Sequence, residues 1–120
     1  SVDYFKTAQE IDKRATKLGI VQPVLLQLNL AKEATKAGQT ISELRENWAL
    51  YKNLKNIQIQ GLMTMPPLGQ SHFYFQELRD LSKELGLREL SMGTSSDWKD
   101  AIAQGATIIR IGTAVFGERK

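Results

Sequence analysis

The sequence has no cysteine and only one histidine, His72. The first absence excludes disulfide frameworks, thiolate metal sites and cysteine nucleophiles; the second excludes an ordinary multi-histidine zinc site. No apolar run approaches the roughly 20 residues that cross a bilayer, and no stretch reads as a cleaved signal. An excess of one charge is also missing. Sixteen Lys and Arg stand against 13 Asp and Glu, a formal charge of +3, and the bases are scattered from Lys6 to Lys120. That dispersal argues against a dedicated nucleic-acid or membrane-surface protein and for a soluble, cytoplasmic one. HExxH, GxSxG, EF-hand and Walker signatures are absent, as is a catalytic carboxylate pair.

What is present is a regular alternation of two hydrophobic periods within 120 residues, enough for one domain with one core. Ala8, Ile11, Ala15 and Leu18 fall at helical spacing, and Gly19 stands where a helix-ending glycine belongs. An extended apolar run over 23–30 follows. Thr40 and Glu43 fit a capping box that launches Leu44, Trp48 and Tyr51. Residues 57–63 read as a second strand, and Pro66, Pro67 and Gly69 mark a loop. Phe75, Leu78, Leu81 and Leu85 form another helical stripe before Gly86, and residues 89–92 are a short strand. Ser96 is placed to cap a brief helix through Trp98, Ala101 and Ile102 that Gly105 ends, and residues 107–111 form the last strand.

Four helices each followed by a strand predict an α/β fold of parallel strands with helical crossovers. The strand runs are apolar at nearly every position, as suits a sheet covered on both faces. Two closures fit: a small open sheet, or four units of an eight-unit barrel. In both, binding groups gather beyond the strands' C-terminal ends, here near 29–31, 63–67, 92–96 and 112–117.

Two of those ends carry the chemistry. Ser91-Met92-Gly93-Thr94-Ser95-Ser96-Asp97-Trp98 sets a glycine and hydroxyl residues between a strand and a helix start. It reads either as a capped turn or as a phosphate-binding junction of free backbone N–H groups. In the second, Arg110 interrupts the apolar run Ile108-Ile109-Arg110-Ile111 just before Gly112 and Thr113. An unpaired charge there is costly, so Arg110 meets solvent, a structural acidic partner or a ligand acceptor. Met63 and Met65 either line an apolar ligand wall or fill the core. Asn29, Glu33 and Lys36 are polar candidates at another strand end, or solvated loop residues. His72 has no partner at a diagnostic spacing and reads as a loop or helix-entry residue.

Taken together and in order, Leu25-Leu26-Gln27-Leu28-Asn29, Gly61-Leu62-Met63-Thr64-Met65, Ser91-Met92-Gly93, Ser95 and Ile109-Arg110-Ile111-Gly112-Thr113-Ala114-Val115-Phe116-Gly117 resemble one family. It is that of the pyridoxal-phosphate homeostasis proteins, the YggS/PROSC family related to the barrel domain of alanine racemase. The resemblance covers nearly the whole chain. It implies a TIM-type (β/α)8 barrel of the kind called PLP fold type III. It implies pyridoxal 5′-phosphate held at the barrel mouth, with Arg110 toward the pyridine nitrogen, Ser95, Gly112 and Thr113 on the phosphate, and Met92 beside the ring. An arginine there keeps the nitrogen unprotonated and the ring a weak electron sink. The implied role is vitamin homeostasis as a non-catalytic carrier or regulator.

The family's Schiff-base lysine belongs to its N-terminal half, and no lysine here occupies the matching motif. The expectation is therefore that residues 1–120 form a single domain, the C-terminal half barrel of about four α–β units, with the N-terminal half absent. Such a piece is expected to pair with the missing half or to self-associate, since its edge strands lack neighbours. Two alternatives stay open: a fragment of an alanine-type amino-acid racemase, and a generic phosphate-binding or interaction domain.

Overall fold

The structure, a computed structural model, describes residues 1–118. Helix α1 (Phe5–Leu18) leads into strand β1 (Gln22–Leu28), and α2 (Ile41–Lys52) into β2 (Ile57–Thr64). Helix α3 (Ser71–Leu85) leads into the three-residue β3 (Glu89–Ser91), and the short α4 (Trp98–Ala103) and α5 (Thr113–Phe116) follow. The strands form one parallel sheet in the order β1-β2-β3. Single parallel bridges extend it at both margins, Val2 beside Leu26 and Ile108 beside Ser91. Five parallel staves with helices between neighbours are an arc of a barrel rather than an open doubly wound sheet.

Local chemistry accounts for where the elements stop. Gly19 takes φ +68, with its N–H on Thr16 O and the Ile20 N–H on Ala15 O. Gly86, at φ +69, repeats this, with bonds to Lys83 O and from Leu87 N–H to Ser82 O. Gly105 and Ala106 do the same after α4, onto Ile102 O and Ala101 O. These paired bonds satisfy the last helical carbonyls and turn the chain into the next strand. The capping box at α2 is present from both sides: Glu43 N–H donates to Thr40 Oγ1 at 3.1 Å and Thr40 N–H to Glu43 Oε1 at 3.4 Å.

The core lies between sheet and helices. Leu26, Leu62 and Leu90 are in mutual register across the three strands and pack with Leu44, Tyr51, Phe75, Leu78 and Ala101. The β1–β2 register skips one residue, since Val24 pairs with Ile59 but Leu25 with Gly61, leaving Gln60 as a bulge. That shift brings Gly61 against Glu89 of β3.

Three sequence expectations need correction here. The strand foreseen over 107–111 reduces to the Ile108 bridge. Thr107 Oγ1 accepts the Leu90 N–H at 2.8 Å, so a side chain takes a ladder donor and the pairing does not propagate. Beyond it, Met92 N–H on Ile108 O at 3.1 Å and Arg110 N–H on Gly93 O at 2.9 Å tie the segment to the β3 end. Helix α4 starts at Trp98 with Asp97, not Ser96, at its N-cap position, and no side chain caps it. The short helix α5 was not foreseen. Strand β1 also ends at Leu28, where Asn29 leaves the ladder: its Oδ1 accepts the Glu33 N–H and its Nδ2 donates to Glu33 O and Lys36 O.

Candidate functional site

The chain beyond β3 and the chain beyond Ile108 meet at the same end of the sheet. Thr94, Ser95, Ser96, Arg110, Gly112, Thr113 and Ala114 line an open pocket of about 510 Å³ between them. Gly93 makes the approach possible. It has φ +104, and a Cβ there would lie 2.6 Å from the Ala101 Cβ, so only glycine lets the β3 end pass over α4.

Ser95 joins the two segments. Its Oγ accepts the Ala114 N–H at 2.8 Å and the Gly112 N–H at 3.3 Å. A hydroxyl has two acceptor lone pairs and one donor hydrogen. With both lone pairs engaged, Ser95 can offer a third group only its hydrogen, which suits an anion.

Arg110 is held at two points. Its backbone N–H donates to Gly93 O, and its Nη2 donates to Thr64 O at the end of β2 at 2.8 Å. Its Nε is buried without a hydrogen-bond partner among the described residues. A buried orphan donor is costly and is relieved by an acceptor that comes within reach. Burial pushes the guanidinium below its ordinary value, and the Asp97 carboxylate opposes that shift. The group nonetheless remains a cation at neutral pH.

The expected site residues Ser95, Arg110, Gly112 and Thr113 thus come together on one pocket. Met92 does not line it. Met92 is fully buried in the core cluster with Ala101, and its N–H donates to Ile108 O. The alternation of strand side chains turns it toward the helices rather than the mouth. Thr94, Ser96 and Ala114 join the lining; Ala114 acts there through its backbone N–H, which no side-chain pattern announces. The other candidates stand apart. Met63 is buried, Met65 is exposed, and Lys36 Nζ donates to Met65 O at 3.0 Å. His72 lies in the first turn of α3 with Nδ1 2.9 Å from Asp100 Oδ1, outside the pocket.

The arc of parallel strands, with the pocket beyond their C-terminal ends, defines a part of a (β/α)8 barrel. The chain belongs to the family described as alanine racemase, N-terminal domain, whose profile matches residues 1–120. It is 45% identical over 130 residues to the pyridoxal phosphate homeostasis protein of Aquifex aeolicus, covering 100% of this chain and 57% of that protein. To the protein of the same name from Synechocystis sp. it is 42% identical over 129 residues, covering 99% of this chain and 59% of that one. Among solved structures it is similar to PipY of Synechococcus elongatus. Without PLP that structure matches with a TM-score of 0.90 at 39% identity, over 98% of this chain and 60% of PipY. With PLP bound, the TM-score is 0.88 at 38% identity. An alanine racemase from Clostridium difficile, at 20% identity and a TM-score of 0.71, shares the fold. The chain spans a little under three-fifths of the length of these curated relatives.

Proposed function

We propose that this chain contributes the phosphate and ring-nitrogen side of a pyridoxal 5′-phosphate site, in a protein that carries or buffers the cofactor. The observation that carries the reading is the Ser95 hydroxyl, whose lone pairs are taken by Gly112 and Ala114 while its hydrogen is left to donate. The donor set fits the group. Ser95 and Thr113 offer hydroxyls as donors for a phosphate dianion, and the Gly112 and Ala114 N–H groups act indirectly, by holding the Ser95 oxygen so that its hydrogen is free to donate. Arg110, which lines the pocket, adds a cationic group for a second acceptor, the pyridine nitrogen. Met92 supports the end of β3 from within the core.

When bound, pyridoxal phosphate supplies an amine-reactive aldehyde and a conjugated ring that draws electrons. This chain's part is to hold and orient. Ser95 and Thr113, with Gly112 holding Ser95 in place, would bind the phosphate, and Arg110, permanently charged, would disfavour a proton on the ring nitrogen. The pocket lining offers binding groups and no carboxylate, imidazole or amine to move a proton. PipY, solved with PLP bound, supports the same ligand class. In the same reading the protein is cytoplasmic, and the margins at Val2 and Ile108 pair with the rest of a barrel or with a second copy.

The test is titration with pyridoxal phosphate and with inorganic phosphate by isothermal calorimetry. Ser95→Ala is expected to weaken both by roughly five- to twentyfold, as loss of one charge-assisted hydrogen bond does. Arg110→Ala is expected to weaken pyridoxal phosphate more than inorganic phosphate while the fold still melts cooperatively. Unchanged affinities in both variants would remove the pocket from consideration.

A further inference from the structure

Asp97 lies directly beside the pocket without lining it, and its carboxylate is engaged in one particular way. Oδ1 accepts the Thr94 N–H at 2.7 Å and the Thr94 hydroxyl at 3.3 Å. The bond spans three residues and, alongside the backbone Asp97 N–H on Thr94 O at 3.2 Å, closes the turn that carries Ser95 and Ser96 from the other side. At the same time Gly93, just before that turn, is bound through its carbonyl by Arg110 N–H. The turn is therefore fixed at both ends, and Ser95, between them, reaches Gly112 and Ala114. Asp97 sits at the N-cap position of α4 but caps nothing there. Its free hydrogen-bonding capacity is spent backwards, on the anion turn.

A carboxylate is an unusual choice for that post. An asparagine would accept the same N–H without placing a negative charge beside a pocket built for anions. No ion pair joins Asp97 to Arg110 among the described residues, so the charge is not cancelled by contact. Yet the two are near enough for Asp97 to oppose the effect of burial on Arg110.

We propose that Asp97 is a positioning residue with two opposed effects on one site: its hydrogen bond to Thr94 shapes the turn that presents Ser95, and its charge holds anion affinity down so that the ligand is released readily. The proposal rests on the reading of this pocket as an anion site and adds the element that sets its strength. A weak, exchangeable site is what a carrier needs, since tight binding would sequester its cargo.

Two variants separate the effects, because both remove the charge and only one removes the acceptor. Inorganic phosphate is titrated into the full chain, with tryptophan fluorescence as one signal and calorimetry as the other. Asp97→Asn keeps the bond to Thr94 and is expected to bind phosphate about two- to fivefold tighter than the native chain, the size of an incompletely screened repulsion between nearby charges. Asp97→Ala is expected to bind about three- to tenfold more weakly than Asp97→Asn despite an equal net charge, because the turn keeps its backbone bond but loses its side-chain tie to Thr94. The gain in Asp97→Asn should shrink as salt is raised.

Weaker binding by Asp97→Asn than by the native chain would overturn the proposed role of the charge. Equal binding by the two variants would overturn the positioning role. Should Asp97→Ala not fold, Asp97→Leu, which likewise removes both charge and acceptor while keeping most of the side-chain volume, replaces it in the comparison. Ser95→Ala, measured alongside, tells the two levels apart. If it leaves phosphate binding untouched, the pocket itself is misread. If it weakens binding while both Asp97 variants match the native chain, only the role of Asp97 fails.

Discussion

Gly61 is the position at which the sheet is least forgiving. It sits in β2 just after the bulge, paired with Leu25 on one side and Glu89 on the other. A Cβ there would lie 1.9 Å from Glu89 O, 2.5 Å from Glu89 C and 2.7 Å from Glu89 Cβ. The first two atoms are backbone, so no side-chain rotation relieves the overlap, and β3 must move away from β2 by about an ångström. β3 has only three residues. Overpacking of this kind costs about 1–3 kcal/mol, and each ladder bond strained or lost adds about 0.5–1.5 kcal/mol. Gly61→Ala is therefore expected to destabilise the chain by about 3 kcal/mol, a large share of the stability of a small domain. At this size the melting temperature should fall by roughly 12 °C. The assay is thermal unfolding followed by far-ultraviolet circular dichroism, with Gly112→Ala as the control. Gly112 has φ −123 and open space around its missing Cβ, so that variant should melt within about 2 °C of the native chain. A Gly61→Ala melt equally close to native would refute the reasoning, because it would mean that the β2–β3 contact yields without cost.

Two further outcomes follow from the packing. Thr40→Ala removes the hydroxyl half of the α2 capping box and is expected to cost about 1 kcal/mol, seen as a shift of a few degrees in the same melt. Tyr51→Phe removes the 3.0 Å hydrogen bond from the buried Tyr51 hydroxyl to Gln39 Oε1, leaving a Gln39 side chain whose Nε2 already has no partner. The expected cost is about 1–3 kcal/mol in urea unfolding at neutral pH. Burial also holds the Tyr51 phenol above its ordinary value of 10.0. The folded state thus keeps that proton more tightly than the unfolded state, and the corresponding stability is present below about pH 10 and lost as pH rises through the folded value. The native chain should lose stability above that point more steeply than Tyr51→Phe; parallel pH profiles would contradict the assignment.

Much of this architecture is legible in the residues, and what is not has a common cause. Helix starts and stops are written locally: Gly19, Gly86 and the pair Thr40 and Glu43 act on bonds within a few residues, and each does what its sequence context predicts. The gathering of Ser95, Arg110, Gly112 and Thr113 is legible at one remove, because parallel strands deliver their C-terminal ends to one side. The failures lie where a residue's identity leaves open which of several partners it or its neighbour takes. Residues 107–111 have the composition of a strand, but Thr107 substitutes its hydroxyl for a ladder group and only Ile108 bridges. Ser96 has the identity of a cap, yet the residue beside it carries the turn, and its bond runs to Thr94 instead. Met92 belongs to the right segment and faces the wrong way for the mouth, since strand alternation past Ser91 turns it to the core. Strand propensity describes a residue's fit to a pleated surface and leaves open whether a neighbour exists to pair with it.

The same geometry ties the site to the least extensive strand in the fold. Both pocket walls hang on β3: the turn of Thr94, Ser95 and Ser96 continues from it, and the segment bearing Arg110 is bound to it through Met92 N–H on Ile108 O and Arg110 N–H on Gly93 O. Arg110 then crosses to Thr64 O, so the end of β2 fixes the guanidinium while β3 fixes its backbone. A displacement of β3 relative to β2 must therefore pull Arg110 between two anchors and shift Ser95 against Gly112 and Ala114. Damage to the β2–β3 contact should reach the pocket well below the melting temperature, whereas damage of similar size at α2 should not, because α2 contributes no group to the pocket. Stability and anion affinity are expected to fall together in Gly61→Ala and to separate in Thr40→Ala. Phosphate titrations of the two variants at a temperature where both remain folded distinguish a site carried by the β2–β3 contact from one that merely shares the chain with it.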